Sequence, residues 1–132
     1  MMKNYTSYDL IEWGKPFEKS QHVLPEPTLS EVLIRVTAAG LCHSDLHVQK
    51  GYMDLGEEGR LTFAERGAQL PMTFGHEIAG IVEAVGDKVK NVSIGQQVLV
   101  FPWIGCGDCL ACHEDRESDC SAMRIIGLKQ KG

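Results

Sequence analysis

From Glu31 to Ala39 the chain reads E-V-L-I-R-V-T-A-A, rich in β-branched residues and alternating in part. That pattern predicts a strand with Val32, Ile34 and Val36 on one face. Ile78–Val85 and Gln97–Phe101 carry the same signal, and the opening MMKNYTSYDLIEWG goes directly into a strand-like alternation. Turn-forming residues separate these runs at Pro25–Pro27, Val85–Lys88 and Ser93–Gly95. One short helix is expected to start near Ser44, whose hydroxyl can cap it while Asp45 suits the positive helix end. Gly51–Leu70 has scattered glycines and mixed charge, and reads as a long loop with one helical turn. Its apolar residues, Tyr52, Met53, Leu55, Leu61 and Phe63, are too many for a purely solvated loop. It is therefore expected to overhang the site its anchors flank, or a subunit contact. The pattern as a whole predicts a mainly β (α+β) domain.

Composition narrows the function classes. With 132 residues, 43% hydrophobic and 23% charged, the chain has the make-up of a globular domain large enough to bury a core. A formal net charge of −5 excludes the basic footprint of a nucleic-acid binder. The longest apolar runs, Ile78–Val82 and Val98–Ile104, fall far short of the roughly 20 residues that a membrane span needs. No signal-peptide core is seen near the N-terminus, so a cytoplasmic, reducing location is expected.

Reducing conditions decide how the cysteines are read, because clustered thiols there bind metal more often than they pair. Four of the five cysteines lie within Gly105–Cys120, spaced Cys106-x2-Cys109-x2-Cys112-x7-Cys120. Two-residue gaps let neighbouring thiolates converge on one ion, and the longer excursion returns the fourth to complete a tetrahedron of sulfurs. Gly105 and Gly107 ease the tight turns between them. Four thiolates leave no open position, so the lobe is expected to hold a structural zinc, with an iron–sulfur cluster as the other chemistry four cysteines can support.

The fifth cysteine belongs to a second constellation. GLCHSDLH, residues 40–47, places a thiol, two imidazoles, a hydroxyl and a carboxylate together, while GHEIAG, residues 75–80, sets a histidine and a glutamate at the start of a strand. Spacing cannot link residues so far apart.

A resemblance supplies the link. GLCHSDLH, GHEIAGIVEAVGDKV and GCGDCLACHEDRESDC, in that order, resemble the medium-chain zinc-dependent alcohol dehydrogenases. The strands ahead of these motifs also fit that family's catalytic domain, a GroES-like barrel, so the resemblance covers nearly the whole chain. It implies one domain over residues 1–132, with the structural zinc lobe at 105–120 held by Cys106, Cys109, Cys112 and Cys120. It also implies that Cys42 and His76 are ligands of a catalytic zinc, with Glu77 beside that ion as an extra or transient ligand. Asp45 falls where a carboxylate orients the ligand histidine, and Ser44 where a hydroxyl touches the substrate oxygen. His47 matches the histidine that passes the proton towards solvent, and His43 a basic residue on the cofactor pyrophosphate.

The chemistry makes these residue types sensible. An alcohol keeps its proton at neutral pH, and a zinc ion with one open position stabilises the deprotonated form. The proton then needs a way out, which an imidazole with an ordinary pKa near 6.5 can provide. The implied activity is oxidation of primary or secondary alcohols to aldehydes or ketones, with hydride passed to NAD(P), NAD in preference. Two zinc ions per chain and a homo-oligomer (dimer or tetramer) of the full-length parent are further expectations.

Departures from the family pattern matter too. No Gly-x-Gly-x-x-Gly fingerprint is present, so the Rossmann cofactor domain that follows in the family is lacking, and this segment alone is expected not to turn over. The interval between His47 and His76 resembles that of archaeal NAD-dependent alcohol dehydrogenases. The competing function is a non-catalytic zinc-binding interaction module, which would have no use for Cys42, Ser44, His47 and His76 together.

Overall fold

The computed structural model describes residues 3–130; the domain expected over residues 1–132 is therefore described without its first two and last two residues. Among the described residues the fold is mainly β, with ten strands, two short α-helices and two single 3-10 turns. The strands form two three-stranded sheets and two hairpin-like pairs.

One three-stranded sheet carries the strand runs of the sequence reading: β3 (Val32–Gly40), β7 (Glu77–Val85) and β8 (Gln97–Val100), in the order β3-β7-β8 and antiparallel throughout. On β7 the period of two is plain, with Ile78, Gly80 and Val82 buried. On β3 it is not. The pairing with β7 skips a residue between Leu33 and Ile34 and again between Val36 and Ala38. Each irregularity shifts which face a residue occupies, so Val36 ends 53% exposed and the expected Val32, Ile34, Val36 face is broken. Gly86, just after β7, sits against the Leu29 carbonyl so closely that any side chain would collide with that backbone.

The second three-stranded sheet has the order β2-β1-β6, from β1 (Asn4–Leu10), β2 (Glu18–Val23) and β6 (Met72–Thr73). It buries Leu10 completely and, unusually, the charged Asp9, which is 1% exposed. Asp9 Oδ1 accepts hydrogen bonds from Ser7 (2.9 Å) and Thr73 (2.6 Å), and Oδ2 lies 3.0 Å from His22 Nε2. Burial alone would raise its pKa, but hydrogen bonds from Thr73, Ser7, His22 and Ser20 outweigh that and bring it to about 2.

Helix α1 runs from His43 to Lys50, one residue earlier than expected. Its N-cap is Cys42, not Ser44, and the capping carboxylate comes from Asp45, whose Oδ2 accepts the Cys42 N–H at 3.0 Å. Gly51 ends the helix at φ 90°, a left-handed turn that suits glycine, and its N–H reaches the carbonyls of His47 and Val48.

Gly51–Leu70 has the one helical turn that the sequence suggested, but it is not the long loop expected around that turn. It folds as a hairpin of β4 (Tyr52–Asp54) and β5 (Arg60–Thr62) around a 3-10 turn at Gly56–Glu58. Three-residue strands leave too short an alternation to stand out. Met53, Leu61, Phe63 and Ala68 of this segment join a core with Val48, Trp13, Phe74 and Leu128, while Leu55 is exposed. The hairpin therefore braces α1 from behind. Among the described residues, no helix is long and apolar enough to cross a membrane.

Candidate metal centres and active site

Cys42 and His76 reach each other through the sheet. Gly40, the last residue of β3, pairs with Glu77, the first of β7, so the residues just outside that pair are brought together. Cys42 Sγ lies 3.2 Å from His76 Nε2. Asp45, 4% exposed, joins the two segments: one carboxylate oxygen takes the Cys42 backbone N–H, and the other is 3.4 Å from His76 Nδ1. A carboxylate at Nδ1 fixes the ring so that Nε2 is the nitrogen presented to the thiol side. Donor atoms of Cys42, Asp45 and His76 all lie within 4.8 Å of one another.

Cys42 and His76 border a cavity of about 600 Å³. Ser44 and Glu77 also line it, and its remaining wall is mostly apolar, with Ile78, Leu99 and Trp103 prominent. Leu99 is 86% exposed, a large apolar side chain presented to open space. These apolar walls were not singled out from the sequence, although the alternation on β8 could have pointed outward at Leu99. No residue between 51 and 70 lines this cavity.

His43 and His47 stand apart from that wall. One turn apart on α1, their rings meet at 4.6 Å between centroids, His43 exposed and His47 half-buried. Among the described residues no direct hydrogen bond links Ser44 to His47, so proton passage between them needs an intervening hydroxyl or water.

The four remaining cysteines converge as their spacing suggested. Cys109 precedes and Cys112 lies within the short helix α2 (Leu110–His113), and a 3-10 turn at Glu117–Asp119 delivers Cys120. Cys109 and Cys112 sulfurs are 3.5 Å apart, those of Cys106 and Cys112 4.0 Å, and all four lie within 4.8 Å of one another. Tetrahedral zinc thiolates at about 2.3 Å would put sulfurs about 3.8 Å apart, so the lobe has the dimensions of that site. Gly105 is needed here for space: a side chain would come within 2.5 Å of the Cys112 sulfur.

The thiols' titration fits the same conclusion. N–H groups of Asp108 and Cys109, helped by the thiols of Cys120 and Cys109, draw Cys106 down to about 6. The Gly107 N–H acts in the same direction on Cys112, but burial and the neighbouring thiols of Cys109, Cys120 and Cys106 outweigh it and push Cys112 up to about 11. One thiolate thus opposes the next, and a bound cation would allow all four to ionise together. At the other centre the softer thiolate and imidazole of Cys42 and His76 likewise suit zinc.

Comparison with known proteins agrees with this geometry. Residues 28–132 match the alcohol dehydrogenase GroES-like domain. The chain is 43% identical over 124 residues to an NAD-dependent alcohol dehydrogenase of Sulfurisphaera tokodaii, covering 93% of this chain and 34% of that protein. Its fold is similar to the alcohol dehydrogenase of the hyperthermophilic archaeon Aeropyrum pernix (TM-score 0.79, 29% identity, 97% of this chain and 35% of that one). It is also similar to a cobalt- and zinc-bound alcohol dehydrogenase from Pyrobaculum aerophilum (TM-score 0.77, 26% identity, 98% and 37%). The chain spans about a third of the length of these relatives. With its GroES-like fold and its two convergent sets of metal donors, the chain belongs to the alcohol dehydrogenase family.

Proposed function

We propose that this chain is the catalytic domain of a zinc-dependent alcohol dehydrogenase that oxidises primary or secondary alcohols and passes hydride to NAD. The observation that carries this reading is the Cys42–His76 pair, tied together by Asp45, opening onto an apolar-walled cavity with Ser44 on its rim. A closed structural site would have four donors and no cavity, as the lobe does.

Cys42 and His76 would hold the catalytic zinc, with the remaining donor supplied from outside the described residues or by Glu77. When bound, the metal acts as a Lewis acid that lowers the pKa of an alcohol. Everything else falls to side chains of this chain. Asp45 holds the His76 ring and stabilises positive charge there. Ser44 offers a hydroxyl to the substrate oxygen, and the apolar wall of Ile78, Leu99 and Trp103 favours carbon-rich substrates. His47 receives the proton through a bridging group and releases it towards solvent. His43 sits in the first turn of α1, where the helix dipole and its own ring favour an anionic cofactor group. Cys106, Cys109, Cys112 and Cys120 would hold a second, structural zinc. We place the parent enzyme in the cytoplasm as a homo-oligomer.

Metal counting tests the reading. Elemental analysis is expected to find two zinc ions per chain, with Cys42→Ser and Cys109→Ser each removing one. In the full-length enzyme Cys42→Ser abolishes NADH formation, while Cys109→Ser lowers the melting temperature first. An iron signal, or full zinc retention in both variants, would overturn the assignment.

A further inference from the structure

Gly40 is a glycine without a backbone reason. It is the last residue of β3, it pairs directly with Glu77, and it is absent from the positive-φ glycines of the chain. Any residue could adopt its conformation. Space is what distinguishes it. The three nearest atoms to a side chain built there all belong to one residue: Oε2, Cβ (3.0 Å) and Cδ (3.3 Å) of Glu77. Glu77 therefore folds back across the bare Cα of Gly40, although it is an exposed residue that could extend into solvent. Directly opposed side chains in an antiparallel pair keep their Cβ atoms about 4.5–5.5 Å apart. The separation here is too small for two of them.

That placement bears on the metal centre. Glu77 shares the cavity wall with Cys42 and His76 but is not in the donor set that Cys42, Asp45 and His76 form. Folded over Gly40, its carboxylate is kept on this wall as a nearby negative charge. With a side chain at position 40, Glu77 would have to swing away, and the centre would lose that charge.

We propose that Gly40 is a positioning residue: the missing side chain seats the Glu77 carboxylate beside the Cys42–His76 centre and so strengthens its hold on a divalent cation. This rests on the reading of Cys42 and His76 as metal ligands. The role is indirect, so removing Glu77 must make residue 40 irrelevant. Groups that act through one another show this non-additivity, and independent ones do not.

Cobalt(II) reports the test, because its absorption marks thiolate ligation without relying on turnover. Protein with the four-cysteine lobe already filled with zinc is titrated with Co²⁺ against a competing chelator, as wild type, Gly40→Ala, Glu77→Gly and the double variant. Glu77→Gly removes all three atoms that the new side chain would meet. The expected result is about tenfold weaker Co²⁺ binding for each single variant, of the order found for groups around metal ligands. The double variant should bind no more weakly than Glu77→Gly alone, and lobe zinc should stay constant throughout. Wild-type affinity in Gly40→Ala overturns the proposal, as does a double variant whose loss is the product of the two single losses. If Gly40→Ala fails to fold, the double variant decides: recovery of the fold identifies Glu77 as the obstacle, and continued failure overturns the idea. Absence of any Co²⁺ signal sensitive to Cys42→Ser would instead defeat the metal reading itself, and this inference with it.

Discussion

Replacing Asp9 by Asn probes a charge buried far from the thiols yet mechanically tied to the metal centre. Asp9 is 1% exposed and its carboxylate is held by Thr73, Ser7 and His22. Those bonds, against the upward push of burial, lower its pKa from 3.8 to about 2. At about 1.4 kcal/mol per pKa unit, the difference amounts to roughly 2.5 kcal/mol of stabilisation carried by the ionised form. Folding depresses the pKa, so this contribution is fully present above the unfolded value near 3.8 and is lost as pH falls through about 2. About half of it is gone by pH 3. Asparagine keeps the shape but presents an amide where only donors surround it, leaving at least one hydroxyl or imidazole without an acceptor. Asp9→Asn should therefore unfold at lower urea concentration, by about 2–3 kcal/mol at pH 7 and roughly half that at pH 3. Acid also strips metal from thiolates, so both proteins are unfolded metal-free, in excess chelator, and the difference between them isolates Asp9. Thr73 lies three residues before His76, and loosening β6 should also weaken metal binding at Cys42 and His76 while sparing the lobe. An equal gap between variant and wild type at the two pH values would refute the argument.

Three further outcomes follow from the geometry. Asp45→Asn keeps an oxygen for the Cys42 N–H but removes the charge facing His76 Nδ1, so metal affinity at that centre should drop about tenfold, measured by chelator competition, with lobe metal unchanged. In the full-length enzyme, His47→Gln should slow alcohol oxidation most at lower pH, by about 10²-fold, with partial rescue by added buffer bases; a pH-independent loss would assign His47 to packing alone. Phe63→Ala empties the centre of the cluster joining α1 to the hairpin and should cost about 3–5 kcal/mol in urea unfolding, whereas shortening the exposed hairpin tip at Leu55–Gly59 should leave substrate selectivity unchanged.

What the sequence disclosed depended on how local each signal was. The four lobe cysteines sit in one short run, so their spacing carried their convergence, and the structure only added the short helix and turn that deliver them. β7 was legible because Ile78, Gly80 and Val82 alternate without interruption. β3 has equally good composition, yet its register shifts exist only in its pairing with β7 and leave no mark in its own residues. The Cys42–His76 pair is the extreme case. Its segments become neighbours only because Gly40 closes the β3–β7 ladder against Glu77. Resemblance to a family, and not periodicity, was what connected them. The helix start was misplaced for a related reason: Ser44 is the better capping residue in isolation, but Asp45 serves His76 and the Cys42 N–H at once, and that double duty fixes the helix one residue earlier. Asp9 shows the same limit from the other side. As one carboxylate in an ordinary alternation it gave no signal, because two of its partners, His22 and Thr73, come from other strands, and only their assembly makes a buried charge tolerable.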